Sequence, residues 1–369
     1  MPKPIDDVLT KHAALVPTDN LFQRRARLLQ ALWREERKLP IGEHRGRPLG
    51  SRLAMPAAQE DLSNYLTDTI RKVVRREVLT ERRKDKLFAE PRIWNDLLSS
   101  QPMCFNLFGE LAEDLHLASR VFRRVTSGRI DRVTAIRFEH SPGRGDVKYT
   151  GDRSAFDVFV EYTGVDDKAG FAGIEVKYHE GLNDKPAPHR RRYDELAAAM
   201  LCFKEASFKD LKQKPLQQIW RDHLLAGALR LDVDSYSAGF FAFLYPRGNE
   251  NCARAVKAYS SCLTNSETFV PWTLEAVVEG IRAEGGGTWI EMFARRYVAF
   301  DRVDALLAET GAEQTSKPGA GADQRSKTQA YPSTAEERRQ EGADTLASWR
   351  ALGSPKSRWR TRAQTPSLP

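Results

Sequence analysis

The sequence offers little sulfur or histidine chemistry and no long apolar run. Its four cysteines, Cys104, Cys202, Cys252 and Cys262, include no C-x-x-C pair, and no histidine cluster accompanies them. Zinc-site spacing is therefore missing. Unpaired, these cysteines read as buried free thiols and predict a reducing, cytoplasmic setting. No apolar stretch approaches the roughly 20 residues of a membrane span. The first residues, Met1-Pro2-Lys3-Pro4-Ile5-Asp6-Asp7, lack a secretory-leader pattern. No internal repeat is visible.

What is present is length, basic charge and strong local patterning. The 369 residues suffice for one large or two medium domains. The net charge is +8 and the pI about 9.3, a balance that suits a polyanionic partner such as nucleic acid. Residues 1–110 carry 20 Lys+Arg against 15 Asp+Glu, residues 111–310 carry 28 against 29, and residues 311–369 carry 10 against 6. The excess positive charge thus lies in the flanks of a near-neutral middle.

In that middle, Ser154–Tyr162 and Phe171–Tyr178 alternate with period two and predict two strands. The turn formers of 163–170 join them as a hairpin. Phe156, Val158 and Val160 share one face of the first strand, with Ile174, Val176 and Tyr178 on one face of the second. Asp157, Glu175 and Lys177 fall on the opposite face. Charges on an apolar hairpin are costly unless they are paired or bind something. Two hard carboxylates suit Mg²⁺, with Mn²⁺ as a substitute. A lysine two residues from the glutamate can polarise a water, which is the equipment of metal-assisted phosphodiester hydrolysis.

Asp157 followed after a turn by Glu175-Val176-Lys177 resembles the signature of the PD-(D/E)XK nuclease superfamily, the restriction-endonuclease-like fold. Two other acidic-x-Lys tripeptides lack the strand context. Asp166-Asp167-Lys168 sits in the turn and Asp210-Leu211-Lys212 in a helix-like stretch. Ala155-Phe156 precedes Asp157 where the eponymous proline would stand, which leaves subfamily placement open.

The resemblance implies an α/β fold: a mixed β-sheet core flanked by helices, here with a helical N-terminal region. The flanking pattern agrees over about 94–246: helix, strand (Arg132–Glu139), the hairpin, helix (Leu216–Leu229) and a buried strand (Ser237–Tyr245). The expected organisation is a helical N-terminal region over 1–90, a nuclease-like domain over 91–310 with a helical insertion at about 185–206, and a disordered basic tail over 311–369. Within 1–90, helices are expected at Leu21–Trp33 and Ala57–Val78, with a Gly/Pro-rich loop over Leu39–Pro56. Beyond Tyr245, helices are expected at about 250–262, 273–283 and 288–308.

By the same resemblance, Asp157 and Glu175 would ligate the metal, Glu110 on the preceding helix would be an auxiliary ligand, and Lys177 would orient the attacking water. Gln218, on the helix after the hairpin, matches a glutamine found near the active site in branches of the superfamily, with Arg221 beside it. Basic residues expected to hold phosphate are Arg190, Arg191 and Arg192 behind the hairpin, and Arg75 and Arg76 at a helix end. The expected activity is that of a Mg²⁺-dependent endodeoxyribonuclease that leaves a 5′-phosphate, with DNA as partner, no membrane contact and a homodimer left open. Two alternatives remain: a catalytically inactive nucleic-acid-binding protein on the same fold, or an unrelated α/β protein.

Overall fold

The computed structural model describes residues 4–80, 86–232 and 235–315. In chain order the elements are α1 (Pro4–Lys11), α2 (Leu21–Glu36), β1 (Ile41–His44), β2 (Arg47–Leu53), α3 (Ala57–Glu60), α4 (Asp68–Val78), α5 (Arg92–Asn95), α6 (Ser100–Glu113) and α7 (Leu115–Val125). The central part follows with β3 (Arg132–His140), β4 (Phe156–Thr163), β5 (Ala169–Val176), α8 (Arg191–Met200), α9 (Phe208–Leu211), α10 (Gln217–Leu231) and β6 (Ala238–Tyr245). The chain continues through α11 (Glu250–Ser261), β7 (Phe269–Thr273), α12 (Leu274–Ala283), α13 (Gly287–Tyr297) and α14 (Asp301–Thr315).

The main sheet has the order β3-β4-β5-β6-β7. β3, β4 and β5 run antiparallel, while β6 lies parallel to β5 and β7 parallel to β6. Both faces are covered. Val158, Val160, Ile174, Val176, Phe240, Ala242 and Leu244 pack into one core with α4, α6, α7, α12 and α13. Phe159, Phe171, Phe241 and Phe243 pack on the other side with α8, α10 and α11, and Phe156, expected on the face of Val158 and Val160, packs there with them. The hairpin's second face is therefore apolar in its middle, with Asp157 and Glu175 at one end and Glu161, paired with Arg137, toward the other. β5 stays thin in the middle for a steric reason: a Cβ at Gly173 would lie 2.4 Å from the Phe156 ring.

The expected division near residue 90 is not visible in the packing. Trp33, Leu62, Tyr65, Ile70 and Val74 belong to the same buried cluster as the sheet's Val158 and Ile174. A buried arginine ties the two parts together. Arg296 of α13 donates to Gln30 Oε1, Asn64 O and Asn64 Oδ1, at 3.0, 2.7 and 2.6 Å, and its guanidinium lies 4.0 Å from the centre of the Trp33 ring.

Three further expectations are corrected. Residues 39–56 are not a loop, because β1 and β2 pair antiparallel within them. Ala57–Val78 is not one helix. Leu62 takes φ +50, Asn64 is drawn onto Arg296, and Thr67 caps a new helix by accepting the Ile70 N–H. β7 extends the sheet by a fifth strand where no strand is expected. The tail expected from residue 311 lies outside the described residues from 316 onward, and α14 runs to Thr315.

Candidate active site

The register of the sheet places three carboxylates in a row. Phe138 pairs with Val158 and Val158 with Ile174. One position along, Glu139 of β3, Asp157 of β4 and Glu175 of β5 stand side by side, and Glu175 pairs in turn with Phe243 of β6. Beyond the end of β5, the Lys177 N–H donates to Leu244 O at 2.8 Å, so the ladder holds its backbone in place.

Contacts within this row are specific. Asp157 Oδ2 accepts the Val176 N–H at 2.7 Å. Glu175 Oε1 accepts from Lys177 Nζ and from Gln218 Nε2, each at 2.6 Å. Gln101, at the start of α6, donates to Glu139 Oε1 at 2.8 Å. Glu139 itself sits at φ +47, in the left-handed region. That costs a non-glycine residue about 1–3 kcal/mol and persists where the surroundings over-determine it.

The electrostatics are those of crowded negative charge. Burial, then the charges of Glu175 and Glu139, holds the Asp157 carboxyl well above the usual range. Burial outweighs the Gln101 hydrogen bond and, with the Glu175 charge, pushes Glu139 up to about 7. Burial alone would lower Lys177, but Glu175, Asp157 and Glu180 outweigh it and raise its affinity for the proton. Lys177 is therefore a cation here, suited to stabilising charge and unsuited to removing a proton.

The row opens into a cleft of about 390 Å³. α10 forms one wall, with Gln218, Arg221 and Asp222 toward the cleft and Ile219, Trp220, Leu224 and Leu225 buried. The strand-to-helix segment 182–187 forms the rim. Gln217 fixes it by accepting the Ala187 N–H at 2.6 Å and donating to Ala187 O at 2.7 Å. Exposed Arg153, Lys185 and Lys214 also line the cleft, and none makes an ion pair among the described residues.

The structure thus brings Asp157, Glu175, Gln218 and Arg221 to one cleft, with Lys177 bonded to Glu175. Other expected residues lie elsewhere. Glu110 does not line the cleft; it accepts from Thr67 Oγ1 at 2.5 Å. Nine residues of helix separate it from Gln101, about 13 Å along the axis, so the end of α6 at the site presents an amide. Arg192 donates to Tyr149 O and Lys148 O, and Arg191 pairs with Glu195, an exposed pair one helical turn apart. Arg190 precedes α8 and, like its neighbours, is not part of the cleft lining. Arg76 pairs with Glu77 and Glu113, and exposed Arg75 lies on the same helix, α4. Arg221 is not a free cation, because Nε and Nη2 both donate to Asp152 Oδ2, at 3.0 and 2.7 Å.

Sequence reasoning missed Glu139, Gln101, Asp152, Asp222 and the three rim cations. A signal existed for two of them. Glu139 ends the first core strand, just before the Gly/Pro loop. Asp222 follows Gln218 by one helical turn. Asp152 had no such signal: it accepts from Tyr193, Arg221, Thr150 and Ser154, which only the fold assembles.

The donor set fits a hard divalent cation. It is all carboxylate oxygen, and burial together with neighbouring negative charge, which a cation would offset, raises Asp157 and Glu139. Among the described residues no three Asp, Glu, His or Cys side chains converge as a closed cage. No helix among the described residues is long and apolar enough to cross a membrane.

No curated protein and no solved structure matches the chain. A family model described as the PD-(D/E)XK nuclease superfamily matches residues 17–299, from just before α2 to just after α13. The match takes in the N-terminal helices that share the sheet's core as well as the strands bearing Asp157, Glu175 and Lys177. By a match over well more than half its length, on a mixed five-stranded sheet with helices on both faces, the chain belongs to the PD-(D/E)XK nuclease superfamily.

Proposed function

We propose that this chain is a metal-dependent nuclease that hydrolyses phosphodiester bonds in DNA, with Mg²⁺ or Mn²⁺ held by Asp157 and Glu175. One observation carries the reading: Glu175 Oε1 receives both Lys177 and Gln218 while standing beside Asp157 in a cleft edged by unpaired cations. The chemistry supplied by such a cation, when bound, is activation of a water and neutralisation of phosphoryl oxygens.

The chain's own residues supply the rest. Lys177 stays charged and stabilises the negative charge that builds on the scissile phosphate. Gln218 and Lys177 hold the Glu175 carboxylate in one orientation, so its free edge faces the cleft. Gln101 does the same for Glu139, which is placed to hold a water. Arg153, Lys185 and Lys214 offer phosphate contacts along the rim.

The test is nicking of supercoiled plasmid with and without Mg²⁺, in the wild type and in Asp157→Asn. New ends that need both Mg²⁺ and Asp157 support the reading. A protein that shifts DNA on a gel but produces no ends under either condition would be the non-catalytic binder on the same fold.

A further inference from the structure

Asp152 is a buried carboxylate that does not line the cleft, yet one of the cleft's cations is held by it. It stands in the segment leading into β4 and accepts six hydrogen bonds. Its Oδ1 takes Thr150 Oγ1 and the Ser154 N–H, and its Oδ2 takes Ser154 Oγ, Tyr193 Oη, and Nε and Nη2 of Arg221. Burial alone would raise its proton affinity, but Tyr193, Ser154 and Arg221 outweigh it and hold the carboxyl well below the usual range. It is a fixed anion, and the metal-dependent reading above gives it no task.

What it holds is one edge of Arg221. Nε and Nη2 donate to Asp152 at 3.0 and 2.7 Å, and Nη2 donates also to Ser154 Oγ at 2.9 Å. A guanidinium carries five N–H donors. Three are spent here, and the two on Nη1 make no hydrogen bond among the described residues. Arg221 and Ser154 both line the cleft. Arg221 lies one turn of α10, about 4.5 Å along the axis, from Gln218, which is bonded to Glu175. A planar fork with one edge locked and the other free, beside the carboxylate row, receives an anion in a set direction.

We infer that Asp152 and Arg221 form a phosphate clamp, in which Arg221 Nη1 contacts a phosphate of the bound strand next to the one at Asp157 and Glu175, and Asp152 is the positioning residue that aims it. The inference rests on the DNA-binding part of the reading above and deepens it. Arg153, Lys185 and Lys214 attract the polyanion as free charges. The Asp152–Arg221 pair is close to neutral as a unit and acts by direction instead, through a short charge-assisted hydrogen bond. Such a contact fixes the register of the strand, and so which phosphate reaches the carboxylate row.

The experiment measures binding of a labelled DNA duplex to the full chain in EDTA, by fluorescence anisotropy, with a thermal melt of each variant. Arg221→Lys keeps the charge and loses the fork, and is expected to bind about tenfold more weakly, the scale of one charge-assisted hydrogen bond. Asp152→Asn raises the net charge by one, so attraction alone would tighten binding, whereas the clamp requires it to weaken by a similar factor. Tyr193→Phe removes one donor to Asp152 and no charge; it is expected to weaken binding in the same direction by less, and it serves if Asp152→Asn does not fold. Wild-type affinity in Arg221→Lys, or wild-type or tighter binding by a folded Asp152→Asn, overturns the clamp. Plasmid nicking judges the nuclease reading separately. Nicking that needs Mg²⁺, with Arg221→Lys binding normally, keeps that reading and removes the clamp. Weakened binding by the variants of a chain that never nicks keeps the clamp, on a non-catalytic DNA-binding protein.

Discussion

Asp157 and Val176 are joined across two antiparallel strands, with the Asp157 Oδ2 accepting the Val176 backbone N–H at 2.7 Å. One carboxylate thereby serves the sheet with one oxygen and faces the cleft with the other. The two tasks separate by substitution. Asp157→Asn keeps an acceptor for Val176 and removes a charge from a crowded row, so its melting temperature should equal or exceed that of the wild type, with cleavage abolished. Asp157→Ala should also be inactive but less stable by about 1–3 kcal/mol, the usual cost of stranding a buried N–H. Calorimetric melts of the two variants check this, and equal melting temperatures would show that the Val176 hydrogen bond contributes nothing.

Lys177→Met should separate metal binding from turnover. The methionine keeps the aliphatic stem, while Glu175 retains Gln218 as a donor. Mn²⁺ binding should persist and cleavage should fall by about two orders of magnitude or more, the scale for losing one group that stabilises transition-state charge. Wild-type turnover in this variant would make the Glu175–Lys177 pair merely structural.

Neutralising Arg153, Lys185 and Lys214 together should weaken DNA binding and lower the slope of log K against log salt by about one for each phosphate no longer neutralised. The same treatment of Arg190, Arg191 and Arg192 should change the slope less, because Arg191 and Arg192 are engaged with Glu195 and the 148–149 backbone. Salt titrations by fluorescence anisotropy decide between the two sets.

Arg296→Met should destabilise the fold without touching the cleft. It strands Gln30 Oε1 and Asn64 Oδ1, both buried, leaves Asn64 O with Asn106 Nδ2 as its donor, and opens the joint between the N-terminal helices and α13. A loss of about 3 kcal/mol or more in urea unfolding is expected, since each stranded buried group costs about 1–3 kcal/mol. Mn²⁺ binding by the folded fraction should remain.

His223 makes stability depend on pH in a defined direction. Its ring is buried between Tyr259 Oη and Thr268 Oγ1, each at 2.8 Å, and burial lowers it to about 3. The unfolded chain takes up a proton near 6.5 while the folded ring stays neutral. This contribution is therefore complete above pH 6.5 and is lost as pH falls toward 3. His223→Gln removes the titration, so its melting temperature should fall less than that of the wild type between pH 7 and pH 5. Parallel slopes in the two proteins would contradict the assignment.

Much of the nuclease core was legible because its signals are local. The β4–β5 hairpin follows from period-two alternation, α10 from an apolar stripe on a helix, and β6 from an unbroken apolar run. Asp157, Glu175 and Lys177 share a face because side chains alternate along a strand, which sequence alone determines once the strands are assigned. Gln218 was legible for a similar reason, since its helix position was clear, and the fold adds its bond to Glu175. The tertiary structure alone decided the rest. Which carboxylate joins Asp157 depends on strand register between β3 and β4, and register brought in Glu139 while leaving Glu110 on Thr67. Which arginines are free depends on partners distant in sequence, and Asp152 claimed Arg221 across 69 positions. The break in 57–78 came from Asn64 satisfying a buried arginine 232 residues away. Local periodicity reports the face a side chain takes, whereas burial, pairing and charge neutralisation are properties of neighbours that only the folded chain supplies.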